Sequence, residues 1–190
     1  MNIELLNKRY AYIYKNGGFP IQEAQQAIPD KPIICNNLDK EWQDSINKDK
    51  WWASGYTGSE KGREKETELI KKILTFGGHE VCMAYIEEDV EHILSRGQLW
   101  YGDKSRLMKG EPSHCHSNTC NLWEQNYKTH EVAIATGYAL SKDGMWRQHS
   151  WLMRRGYRSV EVVETTKKRV AYFGYVMTRD EALSFCGDNY

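Results

Sequence analysis

Four strand-like runs follow one another in the second half of the chain: EVAIATGYAL (131–140), MWRQHSWLM (145–153), RSVEVVE (158–164) and KRVAYFGYVM (168–177). They are rich in β-branched, aromatic and other apolar residues and are bounded by turn formers. Lys142-Asp143-Gly144 separates the first two and Arg155-Gly156-Tyr157 the second and third, so the spacing predicts an antiparallel meander. Just upstream, Ser113-His114-Cys115-His116-Ser117-Asn118 predicts the start of a helix, with Ser113 as its N-cap and an end near Asn126. One helix followed by a meander is an α+β layout.

Further back, residues 59–76 predict a helix that carries Leu69, Ile70, Ile73 and Leu74 on one stripe and stops at Gly77-Gly78. Val81 to Ile86 reads as a buried strand. Residues 87–96 read as a helix with an acidic first turn and Gly97 as its stop, and Leu99 to Tyr101 as another strand. After the fourth run, Thr178 and Glu181 have the spacing of a capping box, which predicts a terminal helix. Residues 1–58 read as an extension packed on a core of residues 59–190. They hold Tyr10, Tyr12 and Tyr14 at strand spacing, a short helical stretch near 21–27, and Trp42, Trp51 and Trp52 in polar surroundings.

Composition narrows the function classes. Lys plus Arg (26) balances Asp plus Glu (26), which argues against a broad nucleic-acid surface. No apolar stretch approaches the ~20 residues of a membrane span, and the first residues lack a signal-peptide core, so a cytoplasmic protein is expected. Its five cysteines, Cys35, Cys82, Cys115, Cys120 and Cys186, form no paired framework and fit reduced thiols.

Cys115 is the candidate nucleophile. A thiol in the first turn of a helix meets unpaired N–H groups and the positive end of the helix dipole, which favour a thiolate. Cys120 points about 140° away around the same helix and is expected in the core. A two-residue loop at Gly156-Tyr157 would set His149 directly opposite Glu164, on one sheet face, with Glu161 on the other. The carboxylate could then hold one imidazole nitrogen and leave the other for the thiol. Trp100, Tyr101, His116, Asn118, Gln148 and Trp151 are the candidate substrate contacts.

This order, a helix-start Cys, a strand His, then an acidic residue on the next strand, resembles the papain-like and transglutaminase-like cysteine enzymes. Val162-Val163-Glu164-Thr165-Thr166 looks like a Glu version of the Asp-Pro-Thr-like element of transglutaminase-like domains. Residues 97–177 also resemble a group of uncharacterised bacterial and phage proteins. The shared elements are Cys115-His116-x-Asn118, Gly137-Tyr138-Ala139-Leu140, Trp146-Arg147-x-His149-Ser150-Trp151, and Glu164-Thr165-Thr166 ahead of Tyr172-Phe173-Gly174. The resemblance implies a thiol hydrolase or transamidase acting on a protein or small amide, with Cys115 as nucleophile, His149 as base, Glu164 as its orienter and no cofactor.

Two other classes compete. A binding or inhibitor protein would use an exposed Trp/Tyr surface. A zinc protein would draw ligands from His114, Cys115, His116, Cys120, His130 and His149, although no Cys-x-x-Cys or His-x-x-x-His pair is present.

Overall fold

The computed structural model describes residues 60–82, 89–156 and 160–189; the expectations for residues 1–58, for 83–88 and for Tyr157 lie outside them. Chain order is α1 (Glu60–Leu74), β1 (Glu80–Cys82), α2 (Val90–Arg96), β2 (Gln98–Tyr101), β3 (Arg106–Leu107), α3 (Cys115–Asn126), β4 (Val132–Leu140), β5 (Met145–Arg155), β6 (Val160–Glu164), β7 (Ala171–Val176) and α4 (Arg179–Asp188). The result is an α+β fold with a curled, mostly antiparallel sheet.

Strand order is β2-β7-β4-β5-β6-β3, with β1 joined to β5. Strands β4, β5 and β6 form the expected meander, but β7 does not continue it. Instead β7 crosses back to the far edge of β4 and lies between β4 and β2. The reason is in its composition: every residue of Ala171–Val176 is buried, so the strand needs neighbours on both edges and cover on both faces.

The β5–β6 loop also differs from expectation. The last pair is Arg155 with Val160, so four residues intervene instead of two. The register moves by two positions, and a shift by an even number leaves each side chain on its original face. Glu164 therefore stays on the face of His149 and Trp151, as a diagonal neighbour of His149.

The two faces of the sheet carry different residues. One packs under the helices: Leu99, Ile134, Tyr138, Leu140, Trp146 and Phe173 meet Leu69 and Ile73 of α1, Ile93 of α2, Trp123 of α3 and Ala182 of α4. The other is built from strands alone and sets Trp100, Trp151, Met153 and Tyr172 over Ala133, Ala135 and Ala139. Gly174 belongs to this pattern, since a Cβ there would come within 2.8 Å of the Trp151 ring and 2.1 Å of the Thr136 carbonyl. Small residues thus make room for large rings.

Turns and caps explain the ends. Gly77 (φ 118°), Gly78 (φ 77°) and Gly144 (φ 83°) take the left-handed backbone that their turns need. On α4 the capping box is complete: Glu181 N–H donates to Thr178 Oγ1, and Thr178 N–H to Glu181 Oε2. The N-cap of α3 is His114 rather than Ser113, and it makes no side-chain cap. Ser113 instead has a φ of 63°, the single positive φ on a non-glycine among the described residues. That conformation costs about 1–2 kcal/mol and turns the chain so that Cys115 becomes the first helical residue.

Candidate active site

Asn118 N–H makes the first backbone bond of α3, to the His114 carbonyl. The N–H groups of Cys115, His116 and Ser117 thus precede the helical ladder and point out of its start, and no acidic side chain lies in that turn. Two sets of contacts fix this end. His116 Nδ1 lies 2.7 Å from Ser150 Oγ, and Thr119 Oγ1 donates to the Ser150 carbonyl at 3.2 Å, which pins α3 to β5. Ser150 Oγ in turn donates to Thr136 Oγ1 at 3.1 Å, which carries the link on to β4. On the other side Asn118 clasps the Glu111 backbone through both ends of its amide. That pre-helix loop is tied in turn to the Glu164 and Thr165 carbonyls by Met108 and Gly110 N–H.

A break in strand pairing lets the thiol reach the histidine. β5 has β4 along one edge, while β1 covers Met145–Arg147 and β6 covers Leu152–Arg155 on the other. Among the described residues, positions 148–151 have no strand on that edge. Through this gap the start of α3, which packs on the helix-covered face, meets His149 on the opposite face.

His149 is buried, with Nε2 2.8 Å from Glu164 Oε2. That leaves Nδ1 free of the carboxylate, and the Cys115 thiol lies within hydrogen-bonding influence of both His149 and His116. Glu164 is fully buried and saturated. Oε1 accepts from Thr165 N–H (2.8 Å), Thr166 N–H (2.9 Å) and Thr166 Oγ1 (3.1 Å), and Oε2 accepts from His149 and from the Tyr172 hydroxyl (3.1 Å). The two amides come from the residues that follow it, so the Glu-Thr-Thr turn folds back to receive its own carboxylate.

Charge follows from these contacts. Burial works against the Cys115 thiolate, but hydrogen bonds from His116 and His149 more than offset it and bring the thiol down to about 5. For His149, burial opposes the charged ring while Cys115 and Glu164 favour it, and its value is raised. Glu164 is brought down to about 2: burial opposes its charge, and the His149 bond and the backbone amide outweigh that. These shifts favour a thiolate–imidazolium pair backed by a fixed carboxylate over two neutral groups.

The other candidates divide. His116 joins the thiol to Ser150. Trp100 and Trp151 are buried, edge to face at 5.8 Å between ring centres, and Trp151 stacks near His149. They form the wall behind the histidine and present no surface to a ligand. Tyr101 lies on the other face, against the helix-side core. Asn118 has both amide groups engaged by the loop. Gln148 is exposed and lines a cavity between α2 and α4. Residues to which the sequence reading gave no role at the site complete it: Tyr172, Thr165, Thr166, Ser150 and Ser113. Tyr172 had a signal, because two-residue periodicity on β7 gives it the face of Gly174.

The remaining signals bear on the competing classes. All four tryptophans among the described residues, Trp100, Trp123, Trp146 and Trp151, are buried. No group of three or more His, Cys, Asp or Glu side chains among the described residues is placed to hold a metal ion. No described helix is long and apolar enough to cross a membrane. Comparison with known proteins adds no assignment: no family model, curated protein or solved structure matches this chain.

Proposed function

We propose that this protein transfers acyl groups through a thioester at Cys115, as an amide hydrolase or transamidase on a papain-like or transglutaminase-like scaffold. The observation that carries the reading is the continuous chain from the Cys115 thiol through the His149 ring to the saturated Glu164 carboxylate. The thiolate attacks an amide carbonyl carbon, and the oxygen takes up negative charge beside the free N–H groups of the first α3 turn. As the C–N bond breaks, the His149 imidazolium gives its proton to the departing amine. Water or a second amine then attacks the thioester, neutral His149 takes a proton from it, and the Cys115 thiolate leaves. Glu164 stays ionised throughout and holds the ring with Nδ1 toward the sulfur. The substrate is a protein or small amide, and a reducing cytosol suits a thiol of this kind.

The test is selective alkylation. With limiting iodoacetamide at neutral pH, peptide mass spectrometry should find Cys115 labelled before every other thiol, and His149→Ala should remove that preference. Labelling of Cys115 no faster than Cys82, whose thiol burial pushes up, would reject the proposal.

A further inference from the structure

A cavity of about 460 Å3 lies between α2 and α4, lined by residues that touch the first turn of α3. Three links place it beside the nucleophile. Its wall includes Gln148, which precedes His149. It includes Phe185, whose ring meets His116 edge-on at 5.4 Å between centres, and Asn189, whose carbonyl accepts from Ser117 Oγ at 2.9 Å. The volume is that of a small-ligand pocket and holds an extended amino-acid side chain with room to spare.

Its chemistry is one-sided. Phe185 and Tyr175 supply aromatic surface, and Asp89 and Asp188 supply carboxylates. Among the described residues, no lysine or arginine lines the cavity. Glu181 also lines it, but Arg96 holds both its oxygens at 3.0 Å, so that charge is already matched. Asp89 takes a hydrogen bond from the Tyr175 hydroxyl. His92 stands beside Tyr175, 5.5 Å between ring centres. Aromatic walls with two unmatched carboxylates favour an apolar stem that ends in a cation.

We propose that this cavity is a substrate subsite for an alkylammonium or guanidinium group, so that the amide cleaved or exchanged at Cys115 lies next to a basic side chain or amine. This rests on the acyl-transfer reading, because the cavity gains its meaning from the thiol beside it. An anionic group is disfavoured there, and a purely apolar one would leave both aspartates without a counter-charge.

The experiment uses the full chain and active-site-directed chloromethyl ketones, in which the Cys115 sulfur displaces chloride from the methylene carbon. Lysyl and leucyl reagents are compared by the concentration dependence of labelling, and cadaverine is tested as a protector against iodoacetamide. Tighter apparent binding of the lysyl reagent, with an equal maximal labelling rate, assigns the cation to the acyl side. Protection by cadaverine without lysyl preference assigns it to the amine side. In either case Asp89→Asn with Asp188→Asn should weaken the effect roughly tenfold at low salt, and leave labelling by iodoacetamide alone unchanged. Equal binding of both reagents together with no protection overturns the subsite and leaves the nucleophile standing. Failure of every reagent to label Cys115 overturns the acyl-transfer reading, and the subsite with it.

Discussion

Cys115 and Cys120 stand five residues apart on α3 and live under opposite conditions. Cys115 is half-buried at the open end of the helix, between two imidazoles, and drops to about 5. Cys120 is fully buried one and a half turns later, against the Cys186 thiol, and is pushed well above the ordinary thiol range by burial and that neighbour. Full burial against another thiol therefore makes a cysteine inert; what makes one reactive is a half-open place beside donors that can carry positive charge.

The sharpest way to break this contrast is His149→Ala. Acyl transfer on an accepted amide should fall by about 10^3-fold or more, since general base and general acid are lost together. Alkylation should respond less. A thiol returned toward pKa 8.5 loses most of its thiolate at pH 6, but each remaining thiolate is a stronger nucleophile, which leaves a decrease of about tenfold. Parallel kinetics with iodoacetamide and an activated amide would expose a discrepancy between those two numbers.

Glu164→Gln comes next. Either the new NH2 faces the two threonine N–H groups, or it faces the His149 Nε2–H, so one donor always opposes another. A loss of about 2–4 kcal/mol in unfolding stability is expected by denaturant titration. An unchanged midpoint would mean that the carboxylate is not saturated as described.

The pH dependence has a definite sign. Alkylation of Cys115 should rise as pH passes about 5 and then level off, where an ordinary thiol is still silent. The lowered Cys115 value adds stability that is complete above the unfolded thiol value and disappears as pH falls through about 5. The raised His149 value adds stability that is complete below about 6.5 and is lost as pH rises through its folded value. A rate profile that rises only near pH 8.5 would contradict the pairing of the two groups.

Cys120→Ala is the smallest change, and it sharpens the contrast from the other side. It should cost roughly 1–2 kcal/mol for the cavity left beside Cys186 and leave the Cys115 labelling rate unaltered. A changed rate would show that the two halves of α3 are coupled.

Much of this site was legible because short-range rules carried it. A cysteine two residues after a helix-starting serine, and a two-residue period along β5 and β6, suffice to bring Cys115, His149 and Glu164 forward as candidates. The loop length was misread by two residues, and the error was harmless because parity survived it. Other features depended on long-range facts. The place of β7 depends on which faces end up covered, a property of the assembled sheet. Trp100 and Trp151 look like cleft residues until small residues on neighbouring strands let them sink against the sheet. Ser113 resembles an ordinary cap, and its left-handed backbone emerges only from how the loop is tied to Asn118 and Thr165.

The saturated carboxylate has a consequence of its own. Five donors converge on Glu164, so between mildly acidic and alkaline pH no proton has a resting place there. The acid can neither store a proton between half-reactions nor relay one from Tyr172. A single proton is then left to travel, between the His149 ring and whatever atom bonds to or departs from the acyl carbon. A proton inventory in mixed light and heavy water should accordingly be linear, the signature of one moving hydrogen.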